Sequence, residues 1–564
     1  MVTTMLDKLD ERPRFLVEQA MDLMDALYDG EIGLLRDEER PDRHDTRSSV
    51  HYALGLLVRG EDGDAALAEK LLHNVIDLQL DAPGEIYDGT FLTAPEAARP
   101  PGGYEQWNRF GPGFAYFLND TLEKIASSLE KSMAESLPGL APGEMRDRFW
   151  KAADSVIPPV WRSFDPNWRE FIACSFAVIL EHFETELSSG LIARMDVSMR
   201  RAVAGSIHRR LNDAIPMNSN IELMHIFAVH YFGYRYSNND WIQHAEREAS
   251  GFLVEFREFG SFAEFNTTTY YGVDLTVLGM WRRYGRSPGI LAAGLEIEAG
   301  LWRNIGLFYN PVLENLSGPF ARAYEMEMTG HSSVGVFLYL ALGDDWRHLT
   351  GVNCETSHDP LIALVGVNVP EDVLPGLMVH GGDRYAVKRF RELCERDRPG
   401  QNRNLCTAAA WIERNLMIGA MSGSRNTNGQ MHPATIHWIS PEGERYYLRL
   451  IRREKGKGWN THFRGIVFDA KAEKDKLEVI ARIDSELDIE VYFEITGPGM
   501  SRAELTPELW RLPGLLCRVK AKALIPVIQT ESGKAEIVYA YQAASGSVEM
   551  SFVLELEPEK LLKR

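Results

Sequence analysis

Cysteine and long apolar runs are both scarce in this sequence. Its 564 residues contain five cysteines at irregular positions and no CxxC pair: Cys174, Cys354, Cys394, Cys406 and Cys517. An odd number at such spacing is not typical of a disulfide framework, so we expect reduced thiols. No stretch approaches the roughly 20 apolar residues of a membrane span, and the N-terminus lacks the basic start and apolar core of a secretory signal. The sequence therefore predicts a soluble, cytoplasmic protein.

Basic charge is also in deficit. There are 61 Lys and Arg residues against 81 Asp and Glu, which gives a formal net charge of −20. Nucleic acids and anionic membranes attract proteins through a basic field, so we expect neither as a partner. An anionic small molecule stays compatible with this charge, because a local cluster of Arg, His and Asn can override the net sign.

Self-sufficient catalytic motifs are absent as well. The sequence contains no GxSxG, HExxH, P-loop or Rossmann glycine fingerprint at a strand-to-helix turn. Candidate functional residues are therefore sought among polar clusters that interrupt otherwise apolar segments.

The length and the 45% hydrophobic content predict at least two domains. Up to about residue 390, apolar residues recur at helical spacing without a strict repeat, which favours an α/α toroid of helical hairpins over a solenoid. The clearest helical segments are Ser49 to Val58, Ala65 to Leu78, Phe114 to Met133, Trp168 to Leu187, Ile221 to Gly233, Gly272 to Trp281 and His331 to Leu342.

After the polar stretch 395–404 the pattern changes to period-2 alternation. Apolar and polar residues alternate around 477–483, 489–495 and 548–556, which is typical of strands with one buried face. We therefore predict a multidomain α + β protein. Residues 1–390 form a helical α/α toroid, and residues 405–564 form an antiparallel β-sandwich.

The first polar cluster lies at 218–222. Ser219 and Glu222 fit a capping box, which would make Asn220 the first helical residue. An amide there, beside the positive end of the helix, can hold a carboxylate. The alternative is that these residues only cap the helix. His225 lies about 140° round the helix from Asn220, so the two do not share a face.

The second cluster is the polar loop 264–274. Tyr270 and Tyr271 lead into an apolar helix that Asn266 can cap, and Gly272 allows a close approach of the backbone. A tyrosine acts as acid or base if nearby positive charge lowers its pKa from about 10. The alternative is that both rings serve packing.

The third cluster, 318–331, combines Arg322, Tyr324 and His331 ahead of an apolar helix. The guanidinium can bind a carboxylate through two hydrogen bonds, and the imidazole can share proton transfer. The alternative is a surface ion pair between arginine and glutamate beside a solvated histidine.

A fourth stretch, 425–438, contains a dipeptide typical of a hairpin turn, Asn428–Gly429. His432 and His437 are five positions apart, so on an unbroken strand they face opposite ways, which argues against a shared metal site. Arg425 or His432 can reach the interface between the domains.

Four motifs together resemble the heparinase II/III-like and alginate-lyase-like polysaccharide lyases, and most closely the uncharacterised heparinase-like proteins. They are NSNIELM from Asn218, FNTTTYYGVDL from Phe265, RAYEMEMT from Arg322 and HPATIHW from His432. In such lyases an Asn, His or Arg neutralises a uronate carboxylate, a Tyr or His removes the C5 proton, and a Tyr protonates the leaving oxygen.

The resemblance implies roles for particular residues. Asn220 is expected to neutralise the carboxylate, with Tyr271 (or Tyr270) as base or acid. Tyr324 and His331 are further catalytic candidates, and the expected substrate-binding residues are Asn220, Arg322, Asn266, Tyr270 and His432. The adjacent Asn–His pair of the alginate-lyase pattern is missing, because Asn220 is followed by Ile221. We expect Asn220, Tyr271, Arg322 and His331 to line one cleft.

The leading hypothesis is a carbon–oxygen lyase that cleaves a uronate-containing oligosaccharide by β-elimination, with no metal and no cofactor. A glycoside hydrolase is the main alternative, with Glu264, Asp274, Glu325 and Glu327 as possible carboxylates. Dehydration, isomerisation or cyclisation of a non-sugar metabolite and a non-catalytic carbohydrate-binding role stay open. A homo-oligomer is compatible with all of them.

Overall fold

A computed structural model describes residues 3–85, 87–97, 99–100, 121–122, 124–132, 143–154, 164–212, 218–392, 404–425, 429–460 and 465–559. The chain divides into two compact units. Unit 1 comprises Met1–Ser250, Thr276–Gly294 and Val352–Gly366, and unit 2 comprises Gly251–Leu275, Leu295–Gly351 and Val367–Arg564.

Helices dominate the first two thirds of the described chain. In chain order they are α1 (Glu11–Leu27), α2 (Thr46–Arg59), α3 (Asp64–Asp77), α4 (Glu144–Asp154), α5 (Trp168–Phe183), α6 (Ser189–Asn212), α7 (Ser219–Arg235), α8 (Asn239–Phe259), α9 (Tyr270–Tyr284), α10 (Pro288–Phe308), α11 (Val334–Leu342), α12 (Asp359–Val365) and α13 (Leu374–Met378).

Local sequence explains where these helices begin and end, as α2 illustrates. The Asp45 carboxylate accepts the backbone N–H of Ser48 at 3.0 Å and caps the first turn. Gly60 ends the helix with a φ of 67°, a left-handed conformation that glycine adopts without steric cost. Between the two caps, Val50 to Val58 are buried, so this helix contributes to the core of unit 1.

The predicted helical segments are confirmed where the structure describes them, except that α11 begins at Val334 and not at His331, and the predicted start of α7 is wrong. Within the segment Phe114 to Met133, the described residues 121–122 and 124–132 are helical. Asn218, with extended backbone angles, is the N-cap of α7, so Ser219 is already helical and Asn220 is the second residue. The carboxylate of Glu222 pairs with Arg210 at 3.0 Å.

Strands are short before residue 384 and long after it. The short ones are β1 (Tyr28–Asp29), β2 (Leu34–Arg36), β3 (His44–Asp45), β4 (Tyr309–Asn310) and β5 (Asn315–Leu316). The later ones are β6 (Arg384–Arg391), β7 (Leu405–Ile412), β8 (Leu416–Ser422), β9 (Ala434–Ile439), β10 (Arg445–Glu454), β11 (Ile466–Glu473), β12 (Lys476–Ile483), β13 (Ile489–Thr496), β14 (Glu504–Leu505), β15 (Leu509–Leu512), β16 (Leu515–Lys522), β17 (Val527–Glu531), β18 (Lys534–Tyr541) and β19 (Val548–Pro558).

Unit 2 contains two antiparallel sheets that pack face to face. Eight strands follow the order β17-β18-β13-β10-β9-β8-β7-β6, and six follow the order β11-β12-β19-β16-β15-β14. Phe493 of the first sheet meets Phe552 and Trp510 of the second edge-on, with ring centroids 5.3 and 5.4 Å apart. These contacts fill the layer between the sheets, as in a β-sandwich.

The predicted alternation is confirmed in β12 and β19, whereas in β13 the intervening Tyr492 and Glu494 are buried as well. In β12, Leu477, Val479, Ala481 and Ile483 are buried, while the residues between them are partly or fully exposed. The same period appears in β19, where Met550, Phe552, Leu554 and Leu556 are buried. A helical N-terminal half is therefore followed by C-terminal antiparallel sheets, which confirms the predicted fold class.

None of the described cysteines Cys174, Cys354, Cys406 and Cys517 is in a disulfide, as expected, whereas Cys394 and the predicted turn residue Asn428 lie outside the described residues. No helix within the described ranges is both long and apolar enough to cross a membrane.

Candidate functional site

The loop before α9 is held by its own polar side chains. The Asn266 amide nitrogen donates to the carbonyl oxygens of Ser317 and Pro319, at 2.6 and 2.8 Å. The Thr267 hydroxyl oxygen accepts the N–H of Tyr270 at 3.0 Å and so starts the helix. Because both amide hydrogens of Asn266 are used by backbone carbonyls, this side chain fixes the loop that presents the tyrosines.

Tyr271 is part of this same internal network. Its hydroxyl oxygen accepts the backbone N–H of Asn266 at 2.6 Å, and its side chain is 1% exposed. Burial raises the pKa of the phenol well above its usual value, which keeps the hydroxyl protonated. These contacts give Tyr271 a structural part in the turn.

Tyr270 lies under a cation. The Cζ atom of Arg322 is 4.1 Å from the centre of the Tyr270 ring, close enough for a cation–π interaction. The same guanidinium donates to the Gln430 amide oxygen at 2.7 Å and forms an ion pair with Glu264. Burial raises the pKa of Tyr270, and the Arg322 charge opposes that rise.

Tyr324 stands next to both Tyr270 and His331. Its ring lies 6.2 Å from that of Tyr270 and 4.4 Å, edge-on, from that of His331. Its backbone is held at both ends, since its N–H donates to the Thr269 hydroxyl and its carbonyl accepts from Arg449, both at 3.0 Å. Unlike the two buried tyrosines, Tyr324 is partly exposed, so its ring borders solvent.

A carboxyl group lies buried in the same part of unit 2. Asp274 follows Tyr270 by one helical turn, which places both on one face of α9. Its side chain is fully buried, and within the described residues neither oxygen has a hydrogen-bond partner. Burial raises its pKa well above the usual range, Glu264 raises it further, and Arg322 lowers it. Burial without a hydrogen-bond partner therefore favours the protonated form of Asp274.

Two residues of this cluster escaped the sequence analysis. Gln430 lies two positions before His432, within a stretch that had been singled out for its histidines. Arg449 lies in β10, where its guanidinium binds Glu494 at 2.6 Å and covers the Trp459 ring at 4.6 Å. A charged residue in a strand that is otherwise well buried was the available signal for Arg449.

His432 and His437 face the same way, contrary to the prediction from their spacing. Both rings meet Phe320 edge-on, at 6.0 and 6.1 Å. Because β9 begins only at Ala434, the alternation does not extend to His432. The His432 Nε2 bonds the carbonyl oxygen of Ala323 at 2.9 Å, and the imidazole is fully buried. His432 thus secures the segment that carries Arg322 and Tyr324.

The buried imidazole of His432 predicts a pH dependence of stability. Burial lowers its pKa to about 3, so the unfolded chain, with a pKa of about 6.5, binds the proton first. Stability from this group is complete above about pH 6.5 and falls by about 1.4 kcal/mol per unit below it. His432→Gln, whose amide can replace the Nε2 donor, should remove this pH dependence. Between pH 6.5 and 5 the free energy of unfolding of the variant should therefore fall by about 2 kcal/mol less than that of wild type.

Urea denaturation at several pH values measures this difference. His348→Gln, at an exposed position, is the matched control and should keep the wild-type pH dependence. An unchanged slope in His432→Gln would show that His432 is not the titrating group.

Asn220 belongs to unit 1, where it is buried near the start of α7. Tyr270, Arg322, Tyr324 and His331 all belong to unit 2 and form the cluster described above. The expectations that Asn220 binds a carboxylate and that it shares a cleft with this cluster stay predictions. So do the expected absence of a metal and of a cofactor.

Comparison with known proteins places the chain in a family. A family model described as a domain of unknown function, DUF8769, matches residues 14–146 and 151–363, more than half of the chain. The chain belongs to this family. The description of the DUF8769 family names no activity, and no curated protein matches the sequence.

The heparinase resemblance expected from the motifs reappears among solved structures. A heparinase III is 7% identical over 98% of this chain and 85% of that chain, with a TM-score of 0.34. The heparan sulfate lyase HepC from Pedobacter heparinus is 10% identical over 98% of this chain and 89% of that chain, with a TM-score of 0.29. At these scores we base the proposed activity of this DUF8769 protein on its side chains alone.

Proposed function

We propose that this protein is a carbon–oxygen lyase that acts on a uronate-containing oligosaccharide by β-elimination. The observation that carries the proposal is the contact between Tyr324 and His331, a partly exposed phenol and an imidazole with ring centres 4.4 Å apart. Elimination next to a carboxylate needs one group that takes a proton from carbon and one that gives a proton to the leaving oxygen. This pair supplies both types of group.

In the proposed step, one member of the pair removes the proton from the carbon next to the carboxylate. The electron pair of that C–H bond forms a carbon–carbon double bond, and the neighbouring C–O bond breaks. The leaving oxygen takes a proton from the other member. The base then gives its proton to solvent and the acid takes one back, so both groups are restored and the step balances without a metal or an oxidant.

Arg322 and Tyr270 support this chemistry, because Tyr270 lies next to Tyr324 and Arg322 covers the Tyr270 ring. The guanidinium brings positive charge close to the Tyr270 phenol, where it opposes the rise in pKa that burial causes. Glu264 and Gln430 hold the guanidinium in place. We assign Tyr270 a positioning role, because its ring is 9% exposed and covered by Arg322.

Hydrolysis has less support from two of the four candidate carboxyl groups, Glu264 and Asp274. A glycosidase needs two of them on either side of the scissile bond. Glu264 is paired with Arg322, and Asp274 is fully buried beneath the loop. Neither is placed to meet a sugar without displacing its protein neighbours.

A panel of uronate oligosaccharides tests the proposal directly. Elimination creates a conjugated double bond and therefore a new ultraviolet absorbance in step with chain cleavage. New reducing ends without that absorbance would identify a hydrolase and contradict the proposal. No cleavage of any member of the panel would favour non-sugar chemistry or a binding role.

A further inference from the structure

Unit 1 contains a guanidinium to which no carboxylate of the described residues is hydrogen-bonded. Arg47 lies in the first turn of α2, and its Cζ is 5.0 Å from the centre of the Phe171 ring and 6.0 Å from that of Trp168. Within the described residues its Nε is buried without a hydrogen-bond partner. An arginine has five N–H donors, and those of Arg47 are left for another molecule.

The rings of Trp168 and Phe171 form an aromatic platform, and a histidine lies on it as well. The His358 ring is stacked on Phe171 with centres 6.1 Å apart, and His51 meets it edge-on at 4.3 Å. Its Nδ1 is 2.9 Å from a carboxylate oxygen of Glu355. The opposite nitrogen, Nε2, has no partner among the described residues, although His358 is only 5% exposed.

Two unpaired polar atoms on one platform need an explanation, because buried polar groups in folded proteins are almost always hydrogen-bonded. Burial lowers the pKa of Arg47, but the nearby carboxylates of Glu355, Asp45 and Asp165 outweigh it and keep the side chain charged. Those carboxylates also limit the positive potential, so the platform suits a monoanion better than a phosphate dianion.

We propose that Arg47, Trp168, Phe171 and His358 form a binding site for a sugar acid. The planar guanidinium binds the carboxylate through two parallel hydrogen bonds. Trp168 and Phe171, both partly exposed, pack against the apolar face of the sugar ring. The His358 Nε2 bonds a ring hydroxyl. All four residues belong to unit 1, so this binding does not depend on the lyase activity proposed for unit 2.

Calorimetric titration of the full-length protein with D-glucuronate tests the inference, since this monosaccharide has no glycosidic bond to cleave. Arg47→Met keeps an aliphatic chain on the aromatic rings but removes the charge, and should weaken binding by about 10- to 100-fold. Arg40→Met removes the same charge at an exposed position and should leave the dissociation constant unchanged. Trp168→Ala should weaken glucuronate binding but not the binding of acetate.

Each competing explanation has its own result. If wild type binds methyl glucoside as tightly as glucuronate, Arg47 does not recognise the carboxylate. If it binds acetate or sulfate equally tightly, the site does not recognise a sugar ring. If Arg47→Met does not fold, Arg47→Lys is used instead. It keeps the charge but lacks the two parallel N–H donors of the guanidinium, and it must still weaken binding.

Discussion

Tyr324→Phe should lower turnover of a uronate oligosaccharide by about 10²- to 10⁴-fold, the usual contribution of a general acid or base. The substitution deletes the hydroxyl and keeps the ring that contacts His331. Because Tyr324 borders solvent and its backbone contacts are unaffected, the melting temperature should stay close to that of wild type. Steady-state kinetics and a thermal melt measure the two quantities on one preparation.

Tyr271→Phe is the matched control, because it deletes the same atom from a tyrosine that is buried. Here the lost hydroxyl leaves the N–H of Asn266 buried and unpaired, which costs about 1–3 kcal/mol of stability. Turnover should be retained at temperatures where the variant is folded. The reverse pattern, with turnover lost in Tyr271→Phe and kept in Tyr324→Phe, would return the proton-transfer role to Tyr271.

Arg322→Met should lower the free energy of unfolding by about 3–5 kcal/mol, the range for removing one partner of a buried ion pair. Arg322 and Glu264 have side chains 18% and 4% exposed, so the substitution leaves a carboxylate buried without its cation. The carboxyl of Asp274 also loses the positive charge that lowers its pKa. Urea denaturation measures the change.

The second substitution separates charge from packing. Arg322→Met combined with Glu264→Gln removes both charges, so part of the lost stability should return, and the double-mutant cycle gives the coupling. Arg257→Met breaks an exposed pair with Glu296 and should cost less than about 1 kcal/mol. Equal losses in Arg322→Met and Arg257→Met would show that the Arg322 pair is not buried in solution.

The spacing of apolar residues predicted the secondary structure well. The alternation in β12 and β19 and the apolar spacing of α2 required no knowledge of distant residues. The errors concern the ends of elements, where one residue decides at which position a helix or strand begins. The N-cap of α7 moved from Ser219 to Asn218, and the alternation failed at His432 because Pro433 precedes the first residue of β9.

The candidate site was predictable in composition but not in detail. The clusters around Tyr270 and Arg322 were singled out from their residue types, and the structure brings these two residues together. Adjacent tyrosines cannot be ranked from sequence, because one residue of rotation on α9 decides which hydroxyl meets the loop. Gln430 bonds Arg322 from 108 positions away and Arg449 bonds Tyr324 from 125 positions away, and sequence spacing does not reveal such contacts.

The segments that form unit 2 are separated along the chain, and this has a consequence for its synthesis. The loop that carries Tyr270 leaves the ribosome long before Arg449, which arrives 179 positions later. At about 5–20 residues per second, that interval is roughly 10 to 35 seconds. During it the buried side of the loop, with Phe265 and Asn266, has no sheet to cover it. We therefore expect this part of unit 2 to reach its final packing only after the strands of the last third of the protein have been made.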